Sequence, residues 1–110
     1  MSEESFVDAV RADAVPSGKA FAFVHNGHSI LICNSGGEFF AVENKCSHAE
    51  EPLECGRIRN GWIACPAHGT RFDLETGEAL NPPAKDAILT FPLRVVGDMI
   101  KVAVQAIHYS

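Results

Sequence analysis

Two short boxes decide what this sequence folds around: Cys46-Ser47-His48 and Cys65-Pro66-Ala67-His68-Gly69, with sixteen residues between His48 and Cys65. Each box offers one thiolate and one imidazole, so the pair provides two sulfur and two nitrogen ligands for a metal centre. Zinc fingers and ribbons usually group like ligands, whereas each box here is mixed. The mixed order favours a two-iron cluster in which one iron takes both cysteines and the other both histidines, with zinc as the alternative.

Short β-branched and aromatic runs, separated by turn signals, surround the boxes, and no sustained helical periodicity is present. We therefore predict an all-β fold. An Asn-Gly pair readily adopts the positive φ angles of a tight hairpin, so the runs before the first box should form a meander. The predicted strands there are Phe6–Val10, Ala20–Val24, Ile30–Ile32 and Phe39–Val42, and the predicted turns are Ala14–Gly18, Asn26-Gly27 and Ser35–Gly37.

Between the boxes, Arg57–Arg59 and Trp62–Ala64 flank Asn60-Gly61 and predict another hairpin, which leaves each box in a loop. We expect one domain, residues 1–110, with the metal-binding part at approximately 44–84. Beyond the second box, the predicted elements are a strand at Thr70–Asp73, a turn at Glu75–Gly77, a stiff loop at 81–83, a strand at Ala87–Phe91, and a closing hairpin of Leu93–Val96 and Met99–Val104.

Composition excludes several classes of function. The 110 residues carry a net charge of -5 with only nine Lys and Arg, which argues against nucleic acid as a partner. No apolar run is long enough to span a membrane and the first residues are acidic, so we expect a cytoplasmic protein without a membrane partner. Without a secretory signal, the four cysteines are expected to be reduced. No phosphate-binding glycine loop or nucleophile–base pair indicates an enzyme.

The two boxes, the hairpin between them and Pro82-Pro83 resemble the Rieske [2Fe–2S] family. The resemblance implies antiparallel sheets in a sandwich or incomplete barrel, with a small two-loop subdomain that binds one [2Fe–2S] cluster. It also implies that the inner iron is held by Cys46 and Cys65, that the outer iron is held near the surface by His48 and His68, and that the loop around Pro82 and Pro83 shields the cluster.

Two departures from the family's pattern bear on the reduction potential of the cluster. Members of the cytochrome bc1 type carry an extra cysteine in each box, where this sequence has Glu51 and Ala67, so the disulfide between those cysteines is absent. The same members place a serine and a tyrosine hydroxyl near the cluster sulfurs, where this sequence has Thr70 and Phe72. Fewer hydrogen bonds to sulfur stabilise the reduced state less, so we expect a low reduction potential.

The resemblance implies a stand-alone Rieske-type ferredoxin of a bacterial aromatic-ring-hydroxylating dioxygenase system. Such a carrier passes single electrons from a flavin-dependent NAD(P)H ferredoxin reductase to a terminal Rieske non-haem iron oxygenase through transient redox complexes. The remaining histidines form no second iron motif, so we expect a carrier and not the oxygenase. Two alternatives stay open: the small Rieske subunit of a nitrite reductase, and a zinc-stabilised binding module without a redox role.

The other potential ligands receive structural interpretations. Cys33 lies in an apolar run and is predicted to be a core thiol, while Cys55 is assigned no ligand role. His25 and His28 flank a turn and are predicted to face solvent. Three acidic residues beside the first box form either a solvated surface or a patch that steers a basic redox partner: Glu50, Glu51 and Glu54.

Overall fold

The computed structural model describes residues 6–47, 51–67, 69–82 and 84–104. Within them, no helix is long and apolar enough to cross a membrane. The described residues form one short 3-10 helix, Ala12–Ala14, and ten strands: β1 Phe6–Arg11, β2 Ala20–His25, β3 His28–Ser35, β4 Glu38–Glu43, β5 Arg57–Arg59, β6 Trp62–Ala64, β7 Arg71–Asp73, β8 Thr90–Phe91, β9 Leu93–Val96 and β10 Met99–Ala103.

The strands pair into three antiparallel sheets. The central sheet has the order β2-β3-β4-β8, the terminal sheet has the order β1-β10-β9, and the small sheet has the order β5-β6-β7. The all-β, antiparallel fold class is confirmed. The closing hairpin of β9 and β10 pairs with β1 in a sheet of its own, whereas the sequence alone did not fix the strand order.

The two predicted Asn-Gly hairpins are confirmed. Asn26 and Gly27 have φ angles of 52° and 81°, and Asn60 and Gly61 have φ angles of 49° and 83°. Positive φ at both central residues matches the twist of the flanking strands, and asparagine tolerates this region better than most residues. The first turn sets the register of β2 on β3, and the second sets the register of β5 on β6.

Strand β3 separates two hydrophobic cores. Its residues Ile30 to Cys33 are all 0% exposed, although side chains of a strand alternate between its faces. Ile30 and Ile32 belong to a core shared with Ile100 and Val102 of the terminal sheet. Leu31 and Cys33 belong to a second core, which includes Ile63 and Phe72 of the small sheet. The central sheet is therefore covered on both sides.

The strand predicted at Ala87–Phe91 is wrong over its first three residues, because β8 begins at Thr90. The Leu89 carbonyl still accepts from the Glu43 amide of β4 at 2.8 Å, but the amides of Ile88 and Leu89 bond outside the ladder. The Ile88 amide donates to the carbonyl of Gly77 at 2.8 Å, and the Leu89 amide donates to the Glu43 carboxylate at 3.1 Å. These contacts hold the segment as a loop between the turn after β7 and the end of β4.

Gly77 and Gly18 offer a matched test of this loop contact. Both have left-handed backbones, with φ of +81° and +83°, but a Cβ at Gly77 would lie 2.1 Å from the Ile88 carbonyl oxygen, whereas Gly18 faces open space. Gly18→Ala should cost about 1 kcal/mol of stability, from backbone strain alone. Gly77→Ala should cost more than about 3 kcal/mol and lower Tm by on the order of 10 °C more, measured by circular dichroism. Equal losses of Tm would contradict the contact.

Candidate metal centre

The two cysteines of the boxes are buried on neighbouring loops. Cys46 follows β4 and is 1% exposed, and Cys65 follows β6 directly and is 2% exposed. Both belong to the core between the central and small sheets. The structure thus brings the two predicted sulfur ligands into one buried cluster. The predicted histidine ligands His48 and His68 lie outside the described residues.

The second loop closes tightly on itself. The Cys65 amide donates to the Thr70 carbonyl at 2.7 Å, and the Gly69 amide donates to the Cys65 carbonyl at 2.8 Å. Gly69 has a φ of 76°, which explains why glycine ends this box. The loop therefore returns from β6 to β7 within a few residues, with the Cys65 thiol on its buried side.

Asn44 anchors the first loop, a role that the sequence analysis missed. Its side-chain oxygen accepts from the Leu53 amide at 2.8 Å, and its side-chain nitrogen donates to Ser29 Oγ at 3.1 Å and to the Glu54 carboxylate at 3.0 Å. The side chain is nearly buried, at 9% exposed. Asn44 ties both ends of the loop around Cys46 to β3. The sequence feature that could have revealed this role is the polar Asn44 itself, which stands just before the first box at the end of an apolar strand.

A close backbone approach packs the first loop against the strand that leads into the second box. A Cβ at Gly56 would lie 2.2 Å from the Ala64 carbonyl oxygen and 3.0 Å from the Leu53 carbonyl oxygen. Only glycine allows this distance. Because Ala64 directly precedes Cys65, Gly56 brings the two cysteine loops next to each other.

The segment after the prolines is fastened to both boxes. Ser47 Oγ in the first box donates to the Asp86 carbonyl at 2.5 Å, and the Ala84 amide donates to Thr70 Oγ1 at 3.4 Å. Pro82 is exposed, and Pro83 lies outside the described residues. The segment can therefore cover the cysteine loops, while its shielding role stays a prediction.

Thr70 and Phe72 are both fully buried, at 0% exposed. Since Thr70 accepts a hydrogen bond from Ala84, its hydroxyl proton is left to donate to another acceptor. Phe72 pairs with Ile63 across the small sheet and carries no hydroxyl. The burial of both side chains is compatible with the prediction that Thr70 carries a hydroxyl near the cluster sulfurs and that Phe72 does not.

Cys33, His25 and His28 can be compared with their predicted environments. Burial raises the pKa of the Cys33 thiol to about 12, so it stays protonated in the core, as predicted. Cys33, Cys55 and Cys65 form no disulfide. His25 and His28 are half-buried rather than fully facing solvent. The His25 ring stacks on Phe23, with ring centroids 6.1 Å apart.

The acidic residues beside the first box have different environments. Glu51 is exposed and its backbone carbonyl accepts from the Cys46 amide at 2.8 Å. The Glu54 carboxylate accepts a hydrogen bond from the Asn44 side chain, so part of its charge stabilises the first loop. Glu50 lies outside the described residues, and steering by this group stays a prediction.

The donor set fits the sulfur half of a cluster with two cysteine and two histidine ligands. Across residues 6–47, 51–67, 69–82 and 84–104, no group of three or more His, Cys, Asp or Glu side chains is arranged to hold a metal. The described part of the chain therefore offers no competitor to the boxes. Thiolates in a site that excludes water are suited to iron–sulfur ligation.

A family model described as "Rieske [2Fe-2S] domain" matches residues 5–92. The chain belongs to the Rieske [2Fe–2S] family. Membership confirms the predicted cofactor, one Rieske-type cluster with cysteine and histidine ligation. It contradicts the zinc-stabilised module, which requires a different metal.

Two of the similar proteins are ferredoxins of dioxygenases by name. The chain is 33% identical over 94 residues to the biphenyl dioxygenase ferredoxin subunit of Pseudomonas sp. strain KKS102, covering 84% of this chain and 86% of that one. It is 31% identical to the ferredoxin of carbazole 1,9a-dioxygenase from Nocardioides aromaticivorans IC177, with a TM-score of 0.85 and coverage of 90% and 97%. These relatives confirm the prediction of a ferredoxin-type electron carrier rather than an enzyme.

A structure from Mycobacterium tuberculosis, described as the small subunit of an NADH-dependent nitrite reductase, is 18% identical with a TM-score of 0.81 and covers 92% of this chain and 96% of that one. At that identity the likeness shows the fold alone. The nitrite reductase alternative is therefore weaker than the ferredoxin assignment.

Asn44→Ala tests the anchor of the first loop. The change leaves the buried Leu53 amide without its acceptor, which costs about 1–3 kcal/mol. We expect the iron to be lost to a chelator on the order of tenfold faster, followed by the decay of visible absorption. Ser29→Ala removes one partner of the Asn44 side chain and should have a smaller effect. Identical rates in Asn44→Ala and wild type would contradict the anchoring role.

Proposed function

We propose that this Rieske protein carries one electron at a time from a flavin-dependent NAD(P)H reductase to a terminal ring-hydroxylating oxygenase. The observation that carries the proposal is the burial of Cys46 and Cys65 in one cluster, on two neighbouring loops of a Rieske domain. The ferredoxin components among its relatives support the direction of transfer, because they serve dioxygenase systems.

The proposed ligands are Cys46 and Cys65 for the inner iron, and His48 and His68 for the outer iron. When bound, the cluster supplies a single electron-accepting group, which is less opposed to reduction than an all-thiolate cluster because two ligands are neutral. The two cysteine loops keep their thiols away from water. Histidine ring edges near the surface would be the port for electrons.

Three contacts of the chain hold this arrangement during turnover. Asn44 fixes the first loop on β3, and Gly56 allows that loop to lie against β6. The Ser47 hydroxyl fastens the loop after Pro82 at Asp86. These contacts therefore fix the two cysteine loops and the covering segment relative to one another.

The proposed domain extends over residues 1–110, with its cluster-binding part at about 44–84. A cytoplasmic location belongs to the same proposal, since the reductase would draw on NAD(P)H. The proposed partners form transient complexes with this chain, as an electron shuttle requires fast dissociation.

Reconstitution tests the proposal. With a reductase and an oxygenase of this type, substrate hydroxylation should depend on this protein and should fall to background in His48→Ala and in Cys65→Ser. Cys55→Ser is the control, because Cys55 is exposed and has no proposed ligand role. Iron analysis and electron paramagnetic resonance of each reduced variant establish whether the cluster is present. Full activity in either ligand variant would refute the ligand assignment.

Thr70 and Phe72 should tune the reduction potential. Phe72→Tyr adds a hydroxyl that can stabilise the reduced cluster, so the midpoint potential should rise, whereas Thr70→Val removes a donor and should lower it. One hydrogen bond of about 1 kcal/mol corresponds to a shift on the order of 40 mV for one electron. Protein-film voltammetry measures both variants. An unchanged potential in both would dismiss the hydroxyl argument.

A further inference from the structure

The outer side of the small sheet carries an unusual set of residues. Ile58, Ile63 and Phe72 are buried, so their neighbours along each strand lie on the opposite side. The register places Arg57, Ala64 and Arg71 in one row across the three strands. A second row on the same side, two residue pairs further from Cys65, contains Arg59 and Trp62.

The segment after the small sheet widens this surface. Phe72 bridges to Ala79, and the Leu80 amide donates to the Arg71 carbonyl at 2.7 Å, so Leu80 extends the first row. Leu80 is 46% exposed. We define the arginine face as Arg57, Arg59, Trp62, Arg71 and Leu80.

The cations of the arginine face form no ion pair within the part of the chain that the structure describes. Arg57, Arg59 and Arg71 are exposed, and the ion pairs among the described residues involve none of them. Asp73 lies on the same side, but its Oδ1 accepts from the Glu75 and Thr76 amides at 2.8 and 3.2 Å and so caps its own turn. Three positive charges without an anionic partner among the described residues therefore share one face of a chain whose net charge is -5.

Part of the arginine face is already held in place. The Arg71 guanidinium lies 5.3 Å from the centroid of the Trp62 ring, and Arg71 Nε donates to Asn81 Oδ1 at 3.3 Å. A guanidinium fixed over an aromatic ring loses little conformational entropy when it binds a carboxylate. Arginine and tryptophan are also the residues most enriched among those that dominate binding energy at protein interfaces.

We propose that the arginine face is a docking surface for an acidic patch on a redox partner protein. The inference rests on the proposed function and adds the surface at which a partner binds. The first row contains Ala64, which directly precedes Cys65, so a partner bound there lies beside the proposed cluster. Because the rest of the chain is acidic, an acidic patch would be repelled elsewhere and attracted here. This asymmetry orients the encounter.

Charge reversal at Arg57 tests the docking surface. Arg57→Glu should lower the second-order rate constant for electron transfer, with the reductase or the oxygenase component, on the order of tenfold at low salt. At roughly 0.5 M salt the difference should shrink to less than about twofold, because charges are screened. The two steps are measured separately by stopped-flow absorbance. Visible absorption and midpoint potential should match the wild type.

Lys19→Glu is the matched control, because it changes the net charge by the same amount. Lys19 is exposed and lies outside the small sheet, and its side chain makes no hydrogen bond or ion pair within the described residues. It should alter either rate less than about twofold. Equal effects of Arg57→Glu and Lys19→Glu on both steps would overturn the docking surface. Failure of the wild-type protein with both components would instead refute the proposed function.

An anionic small acceptor tests the face without a protein partner. Hexacyanoferrate(III) takes one electron from the dithionite-reduced protein and becomes hexacyanoferrate(II). Arg57→Glu should slow this reaction by severalfold relative to Lys19→Glu at low salt, and equal rates would overturn the inference.

Sedimentation tests whether a second copy of the chain occupies the arginine face. Self-association that Arg57→Glu abolishes would overturn the assignment to a redox partner. Tight binding of a single-stranded DNA probe would also overturn it.

Discussion

The packing of β3 on both of its faces is the constraint on which the rest of the structure depends. Ile30 and Ile32 fill the core toward the terminal sheet, and Leu31 and Cys33 fill the core toward the small sheet. Removing this much apolar surface from water stabilises both layers at once. The second core also contains the two cysteine loops, so the proposed metal centre is built on the same strand that holds the fold together.

Local polar contacts then convert that packing into a defined site. Asn44 joins the first loop to β3, and the Gly61 amide donates to Ser35 Oγ at 2.8 Å, which joins the turn of the small sheet to the central sheet. Gly56 allows the loops to touch. Such contacts are short-range and directional, so they fix positions that apolar packing alone leaves adjustable. The cysteines are consequently held by the fold and not by the metal alone.

Charged residues of opposite sign lie on different parts of the surface, which the net charge does not indicate. A net charge of -5 describes the whole chain, yet three arginines that form no ion pair among the described residues share the outer side of the small sheet, while Glu51 lies exposed on the first loop. Both groups border a cysteine loop. A carrier that meets two different partners can use regions of opposite sign to distinguish them, because the sign of the local potential governs the encounter.

The sequence by itself determined the hairpins at Asn26 and Asn60, the all-β class and the type of ligand, because turn geometry and donor chemistry are local properties. Only the tertiary structure decided that the amides of Ile88 and Leu89 donate to Gly77 and to the Glu43 side chain instead of extending β8. It likewise decided that Asn44 anchors the first loop and that distant arginines share a face. These features depend on contacts between segments far apart in the chain, which no local pattern encodes.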